Sequence, residues 1–283
     1  MSRRGAGALA AALIALAGCS GETPSAPAPE ATTKLYLFDC GRLRLASTEI
    51  FSVAGDETDV RDLIVPCYMV EHPNGRLLWD GGLPSSTAAV EGWHGDGFQM
   101  RLDRTLGEQL ADLGLGMDSF DYVAYSHMHF DHVGVADEVD SAILLMQQAD
   151  YDAQFLQGLS PLKVDPALFK KLENTYKLLL NGDHDVFGDG RVRIISAPGH
   201  TPGHQVLWVD LANTGPILIA GDLYHFALSR KQRRVPKFNF DAEMTLASMD
   251  RVEALVEETG ATLWIEHELA LFETLKQAPD YYD

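Results

Sequence analysis

The stretch Ser126-His127-Met128-His129-Phe130-Asp131-His132-Val133-Gly134 places three histidines and an aspartate close together in the chain. It directly follows Tyr122 to Tyr125, an apolar run that is typical of a strand. Neutral imidazole and ionised carboxylate are the groups that bind zinc and similar first-row metals. Burying so many ionisable groups together would be costly without a cation. The stretch therefore predicts a metal site, and the alternative is a polar loop between a strand and a helix.

The spacing divides these four groups into two pairs. If the strand ends near Ser126, His127 and His129 project from one side of the following loop. Asp131 and His132 then begin the next helix and face a second position. We therefore expect each pair to bind its own metal ion.

The remaining ligands are expected at the ends of later strands, because functional loops in a sandwich or open sheet lie just past the strand ends. Three further candidates each follow an apolar or alternating run. They are His200 in Ala197-Pro198-Gly199-His200-Thr201-Pro202-Gly203-His204, Asp222 after Pro216 to Gly221, and His267 after Ala261 to Glu266.

This order of ligands resembles the pattern of the metallo-β-lactamase superfamily. The resemblance implies an α/β fold, the αβ/βα sandwich, in which two mixed β-sheets pack face to face with helices outside. Within the superfamily the chain is similar to the N-acyl-homoserine lactonases, which destroy quorum-sensing signals. The segments that carry this likeness are Ser126 to His132, Gly199 to Gln205, Gly221 to His225 and Trp264 to His267.

The resemblance also implies a mechanism with two divalent metal ions, expected to be zinc. Asp222 would bridge the two ions, and a hydroxide held between them would attack the lactone carbonyl. Asp131 would carry the proton to the ring oxygen. The first ion would be bound by His127, His129 and His200, and the second by Asp131, His132 and His267.

The chain departs from these lactonases after Asp222. Many of them have a tyrosine three residues after the bridging aspartate, which donates a hydrogen bond to the substrate carbonyl. This chain has His225 at that position and Tyr224 one residue earlier. We expect His225 to be the donor, with Tyr224 as the alternative; a packing role at a strand end is as good an interpretation of Tyr224.

Other activities share the same ligands. Glyoxalase-II-like thioesterases, β-lactamases and organophosphate hydrolases are the alternative hydrolases, and a lipoprotein that binds metal or a signal molecule without turnover is a further one. Di-iron oxygen reductases of the superfamily carry an acidic residue where this chain has His129, together with a flavin-binding domain for which the chain has no room.

Composition indicates one catalytic domain, residues 34–283, because a single sandwich can occupy this length and 46% of the residues are hydrophobic. The formal charge of −19 argues against nucleic acid as a partner, since a duplex-binding surface needs a basic patch. A small-molecule lactone agrees better with this charge.

The N-terminus is typical of an exported bacterial lipoprotein. Arg3 and Arg4 precede the apolar run Ala8 to Ala17, which is too short for a stable membrane span but suits a signal peptide. Leu16-Ala17-Gly18-Cys19 resembles the lipobox, whose cysteine becomes lipidated. We expect a signal peptide at 1–19, a flexible tether at 20–33 and a location in the periplasm or on the outer membrane, with this lipid as the only membrane contact.

Cys40 and Cys67 would lie in a compartment that permits disulfides. A hairpin that turns near Gly55-Asp56 would place Cys67 opposite Arg44 and not opposite Cys40. Bulges could change this register. We therefore expect two buried free thiols, with a disulfide as the alternative.

Supporting elements are also predicted. Thr105 to Leu115 and Asp241 to Thr259 have the apolar spacing of amphipathic helices, with Asp241 as N-cap and Gly260 as C-cap of the second. Asp80 is expected to hydrogen-bond a ligating histidine, or else to form a simple Asp-Gly turn.

Two segments are candidates for the substrate pocket. Phe226 to Phe240 combines basic and aromatic residues and would form a lid, or else a solvated basic loop. Tyr151 to Leu180 would form a second wall from helices packed over the sheet.

Overall fold

The computed structural model describes residue 1 and residues 32–139, 141–157, 172 and 175–283. The described helices are α1 (Leu106–Asp112), α2 (Gln148–Tyr151), α3 (Ala227–Gln232), α4 (Ala242–Thr259) and α5 (Leu269–Phe272). The described strands are β1 (Lys34–Arg44), β2 (Asp62–His72), β3 (Gly75–Trp79), β4 (Gln99–Arg101), β5 (Tyr122–Ala124), β6 (Ile143–Gln147), β7 (Lys177–Leu180), β8 (His184–Asp185), β9 (Val192–Ser196), β10 (Gln205–Leu211), β11 (Gly215–Ile219) and β12 (Thr262–Trp264).

The strands form two mixed sheets. A seven-stranded sheet has the order β4-β1-β2-β3-β5-β6-β7, and a five-stranded sheet has the order β12-β11-β10-β9-β8. In the first sheet β1, β2, β3 and β4 pair antiparallel, whereas β5, β6 and β7 continue it in parallel. In the second sheet only the β11–β12 pair is parallel.

The two sheets pack face to face through a shared apolar core. Alternate residues of one strand point to opposite faces of a sheet, so Leu35 and Leu37 join the core between the sheets while Tyr36 and Phe38 face the other way. From the second sheet, Ile194 and other inward residues of β9, β10 and β11 complete that core. Strands buried on both faces explain the long apolar runs in the sequence.

Helices cover the outer face of each sheet. Leu106 and Leu110 of α1 pack in the cluster beneath the first sheet, and Met249 and Val252 of α4 pack against the second. The predicted αβ/βα sandwich is therefore confirmed.

Both predicted amphipathic helices are present. Thr105 caps α1 and forms a capping box with Glu108. Asp241 caps α4 by accepting a hydrogen bond from the Met244 N–H, and Gly260 ends the helix in the left-handed conformation.

The region after His129 differs from the prediction, because turns and not a helix carry Asp131 and His132. The His132 N–H donates to the carbonyl of His129, three residues back. The Gly134 N–H donates instead to the carbonyl of Gly82 in a neighbouring turn. A Cβ on Gly134 would lie 2.2 Å from the backbone carbon of Leu83, so this close approach requires glycine.

Cys40 and Cys67 form a disulfide, which corrects the expectation of two free thiols. The predicted register was wrong, because Cys67 pairs with Phe38 and not with Arg44. A bulge between Asp39 and Arg42 shifts the register and brings the two cysteine Cα atoms to 5.7 Å from each other.

The N-terminal predictions lie almost wholly outside the described residues. The signal peptide at 1–19 and the tether at 20–33 therefore stay predictions, as does the boundary of the catalytic domain. Among the described helices, none has both the length and the apolar character that crossing a membrane requires.

We predict that the disulfide contributes strongly to stability, because it joins residues 27 positions apart and restricts the unfolded chain. The variant Cys40→Ala/Cys67→Ala should lose roughly 3 kcal/mol of the free energy of unfolding, measured by urea denaturation under oxidising conditions. A dithiol reductant should lower the urea midpoint of the wild type and leave that of the double variant unchanged. Equal midpoints for the oxidised wild type and the double variant would contradict the prediction.

Candidate metal centre

The candidate ligands lie at one end of the sandwich, where strands from both sheets finish. His127, His129, Asp131 and His132 follow β5 of the first sheet, and the other three candidates come from the second sheet. His200 lies between β9 and β10, Asp222 follows β11, and His267 follows β12. The sandwich thus brings together groups that are far apart in the sequence.

The first group contains His127, His129, His200 and Asp222, all buried. The Nδ1 atom of His129 lies 2.8 Å from Nε2 of His127 and 3.0 Å from Nε2 of His200. The two Nε2 atoms of His127 and His200 are 3.2 Å apart. Three nitrogens therefore converge on one small volume.

The second group contains Asp131, His132 and His267, which are also buried. The Nε2 atoms of His132 and His267 are 3.2 Å apart. The Asp131 carboxylate lies 3.9 Å from each of these nitrogens. The predicted separation of His127 and His129 from Asp131 and His132 agrees with this arrangement.

The Asp222 carboxylate lies between the two groups. Its Oδ2 atom is 3.0 Å from Nε2 of His200 and 3.5 Å from Nε2 of His127. Its Oδ1 atom is 2.8 Å from Nε2 of His267 and 3.4 Å from Nε2 of His132. Each oxygen of one carboxylate therefore faces a different group of histidines.

The protonation of these groups suits a cation. Burial, together with the neighbouring imidazoles, holds the pKa of His127 and of His129 well below the ordinary histidine value. Burial opposes ionisation of Asp222, but the surrounding histidines hold its pKa well below the usual range. Burial opposes protonation of His132 and His267 too, but the Asp222 carboxylate raises the pKa of both above the ordinary histidine value. Bound cations would replace these protons beside the carboxylate.

Most of the ligating histidines have a partner on the ring nitrogen that faces away from the centre. Nδ1 of His132 lies 2.9 Å from Oδ2 of Asp80, and Nδ1 of His267 lies 2.7 Å from the carbonyl oxygen of Ile64. Nδ1 of His200 lies 2.9 Å from Oδ1 of Asn239. Such partners fix the tautomer and the orientation of a ligating ring.

Asp80 has the supporting position that the sequence suggested. It is fully buried, and its Oδ1 atom also accepts a 2.6 Å hydrogen bond from the Ser126 N–H. Its backbone has a φ of 56°, which is uncommon for a residue other than glycine. The surrounding structure maintains this costly conformation at the point where Asp80 meets His132.

His204 supports Asp222 from behind. Its Nε2 atom accepts a 3.0 Å hydrogen bond from the Asp222 N–H, and Nδ1 lies 3.0 Å from the carbonyl oxygen of Ala197. Burial lowers the pKa of His204 to about 3, so the ring is neutral and can make both bonds.

Glu266 lies beside the candidate ligands, a position that the sequence analysis did not anticipate. It is 2% exposed, and its Oε1 atom lies 4.0 Å from Nδ1 of His132. Burial and the neighbouring Asp80 raise the pKa of Glu266 well above its usual value, which favours the protonated acid. In the sequence, the only indication of this position was that Glu266 directly precedes His267 at the end of an apolar run.

His225 reaches the centre, whereas Tyr224 does not. Nε2 of His225 lies 3.0 Å from Oδ2 of Asp222, and the ring is stacked on that of His267. The Tyr224 hydroxyl points elsewhere and donates a 2.9 Å hydrogen bond to Oε1 of Glu253. The structure thus places Tyr224 in an anchoring position, because successive side chains leave this extended backbone on opposite sides.

A narrow, mainly apolar pocket opens over the ligands. Phe51 was not expected here; it approaches the His225 ring to 4.7 Å between centroids. Phe238, from the predicted lid, lies edge-on to the rings of Phe51 and His200. The pocket is lined by Leu43, Phe51, Leu63, Phe98, His129, Phe130, Asp131, Asp222, His225, Phe238 and His267.

Three arginines of the predicted lid pair with acidic residues outside it. Arg230 pairs with Glu253, Arg233 with Asp250, and Arg234 with Glu57. The segment Phe226 to Phe240 is thus neither a freely solvated loop nor a detached flap. In the other predicted wall, part of Tyr151 to Leu180 lies outside the described residues.

Comparison with known proteins agrees with this geometry. The family model described as "Metallo-beta-lactamase superfamily" matches residues 60–259. An N-acyl homoserine lactonase AttM from Rhizobium johnstonii is 30% identical over 263 residues, covering 88% of this chain and 98% of the relative. The N-acyl homoserine lactonase AiiA from Bacillus thuringiensis subsp. kurstaki is 27% identical over 257 residues, with the same coverage.

Solved structures give the same result. A quorum-quenching N-acyl homoserine lactone hydrolase superposes with a TM-score of 0.75 at 26% identity, covering 88% of this chain and 98% of that one. A second such hydrolase, with the product N-hexanoyl-L-homoserine bound at its catalytic metal centre, has a TM-score of 0.74 at 25% identity and covers 88% of this chain and 99% of that one. The chain belongs to the metallo-beta-lactamase superfamily and, within it, is similar to the N-acyl homoserine lactonases.

Proposed function

We propose that the protein is a metal-dependent hydrolase that opens the lactone ring of N-acyl homoserine lactones. The observation that carries this proposal is the position of Asp222, whose two oxygens face two groups of buried histidines beneath an apolar pocket. The chain matches N-acyl homoserine lactonases over nearly their whole length, and this similarity supports the same reaction.

The residues fit two divalent cations, for which we propose zinc. Imidazole nitrogen with carboxylate oxygen is a donor set that zinc binds well. His127, His129 and His200 would hold one ion, Asp131, His132 and His267 the other, and Asp222 would contact both. When bound, such ions would lower the pKa of a bound water molecule, so that hydroxide is available at neutral pH, and would polarise an ester carbonyl.

Asp131 is the proposed proton carrier. Its side chain lines the pocket beside His132 and His267, where the attacking water and the ring oxygen of the lactone would both be within its reach. The carboxylate would accept a proton from the attacking water and deliver it to the departing alkoxide as the ring opens. The product of this step is the open-chain hydroxy acid.

His225 is the proposed donor to the substrate carbonyl. Burial lowers its pKa below the ordinary histidine value, so the ring is neutral at pH 7. In the neutral ring, the nitrogen facing the Asp222 carboxylate carries the hydrogen, and this N–H would be available to the substrate carbonyl when cations bind the carboxylate. Phe51, packed on the same ring, restricts its rotation.

The apolar walls suit the acyl chain of the substrate. Phe51, Phe98, Phe130 and Phe238 surround the entrance to the ligand groups with aromatic surface. An acyl chain that leaves water for such walls gains about 25 cal/mol per Å² of buried apolar area. A lactone with a polar or charged substituent would lack this gain.

The activity test compares the four substrate classes of this superfamily. The zinc-loaded protein should open N-hexanoyl homoserine lactone, with a kcat/KM at least ~100-fold above those for S-lactoylglutathione, a cephalosporin and paraoxon, because only the lactone offers both a strained ester and an acyl chain. Removal of metal with a chelator should abolish turnover, and zinc should restore it. A faster reaction with one of the other three would identify a different hydrolase, and lactone binding without turnover would identify a binding protein.

We predict unequal effects of substitutions at the two residues after Leu223. His225→Ala should lower kcat/KM by roughly 10- to 100-fold, the effect of losing one buried hydrogen bond to the substrate. Tyr224→Phe should stay within about threefold of the wild type in kcat/KM, because its hydroxyl binds Glu253. Steady-state kinetics with one lactone would measure both. The reverse order of effects would assign the donor role to Tyr224.

We further propose that the protein is exported and attached to a membrane through a lipid on Cys19. The support lies in the basic and apolar segments that precede Leu16-Ala17-Gly18-Cys19. The Cys40–Cys67 disulfide agrees with an oxidising compartment such as the periplasm.

Metabolic labelling with palmitate tests the lipid anchor in a bacterial host. The wild type should incorporate label and fractionate with membranes, whereas Cys19→Ala should do neither. The variant Cys40→Ala/Cys67→Ala is the matched control and should keep the label, since both residues lie outside the lipobox. Unlabelled wild-type protein in the soluble fraction would contradict the proposal.

A further inference from the structure

We infer that Asn239 is a positioning residue that fixes the proton on Nδ1 of His200 and so leaves Nε2 free to bind a metal ion. Oδ1 of Asn239 lies 2.9 Å from Nδ1 of the fully buried His200. Asn239 belongs to the segment between the pocket wall and helix α4. The inference rests on the proposed role of His200 as a metal ligand and adds the residue that prepares it.

The direction of the hydrogen bonds follows from a backbone carbonyl. The Thr245 hydroxyl has a single hydrogen, which it donates to the carbonyl oxygen of Asp241 at 2.7 Å. Towards Asn239, 3.0 Å away, the same hydroxyl can only accept. The amide nitrogen of Asn239 must therefore face Thr245, and the amide oxygen must face His200.

This orientation determines the tautomer of His200. An amide oxygen can only accept, so Nδ1 of His200 carries a hydrogen, and in the neutral ring the lone pair is then on Nε2. That Nε2 atom lies 3.0 Å from Oδ2 of Asp222 and 3.0 Å from Nδ1 of His129. A lone pair beside an ionised carboxylate is favourable only when a cation binds both.

Neighbouring backbone bonds hold the same turn in place. The Phe240 N–H donates to the carbonyl of His200 at 3.1 Å, and the Asp241 N–H donates to the carbonyl of Gly199 at 2.9 Å. Phe238 forms part of the pocket wall. Four consecutive residues thus connect the pocket wall, the His200 ring, the His200 turn and the start of helix α4.

Two of the other candidate ligand histidines, His132 and His267, use acceptors of different kinds. Asp80 presents a carboxylate to His132, and Ile64 presents a backbone carbonyl to His267. A carboxylate is therefore an acceptor that this centre already uses. For that reason Asn239→Asp, which keeps an oxygen towards His200, is the conservative variant, whereas Asn239→Leu removes the acceptor.

Cobalt binding to the full-length protein tests the inference without substrate. The wild type, Asn239→Leu, Asn239→Asp and Ser248→Ala would be titrated with Co²⁺ against a competing chelator. Ser248 is the matched control, because its hydroxyl donates to the carbonyl of Pro198 in the same turn and does not contact the His200 ring. Nitrogen-15 NMR of the imidazole groups would report the tautomer of His200 in each protein.

Asn239→Leu should bind one of two Co²⁺ ions roughly 10- to 100-fold more weakly and lose the fixed Nδ1–H signal of His200. Asn239→Asp and Ser248→Ala should keep both properties within about threefold of the wild type. Unchanged Co²⁺ affinity and tautomer in Asn239→Leu would overturn the inference and leave the proposed hydrolase intact. A wild type that binds no Co²⁺ would overturn the metal centre and the Asn239 inference together.

Discussion

The structure depends on the compensation of charge around Asp222. A buried carboxylate is costly unless hydrogen bonds or cations offset it. Here its backbone N–H is held by His204, whereas both carboxylate oxygens face ligating nitrogens. The two sheets, through strands that end at a common edge, supply these groups from four separate parts of the chain. Metal binding at these groups would therefore be coupled to the packing of the two sheets.

Supporting residues around the ligands come from yet other elements. Asp80 follows β3, Glu266 ends the β12 segment, and Asn239 precedes α4. The Asp80 turn packs against the disulfide, since a Cβ on Gly82 would lie 2.3 Å from Cβ of Cys40. Asp80, held by the first sheet, thus fixes the ring of His132. Asn239, in the segment before α4, fixes the ring of His200 in the same way. An exported enzyme would keep this arrangement outside the reducing cytoplasm.

The sequence predicted the sandwich and the convergence of the candidate ligands because both are encoded locally. Apolar runs define the strands, and histidine or aspartate directly after such a run falls at a sheet edge. Prediction from the sequence failed where a small difference in backbone geometry decides which side chains meet. The β1–β2 register, with a bulge at Asp39–Arg42, places the two cysteines side by side, and the alternation of side chains after Asp222 turns Tyr224 away. Asn239 lies 39 residues from His200 and has no local signal at all.

The most direct test of this account is anomalous diffraction at the zinc absorption edge from crystals of the zinc-loaded protein. The account predicts two anomalous peaks. One should be bounded by His127, His129 and His200, the other by Asp131, His132 and His267, with Asp222 contacting both. A single peak would contradict the two-metal centre. So would a peak among Asp80, His132 and Glu266, a third buried group with suitable donors, because the Asp80 carboxylate would then be a ligand and not a support.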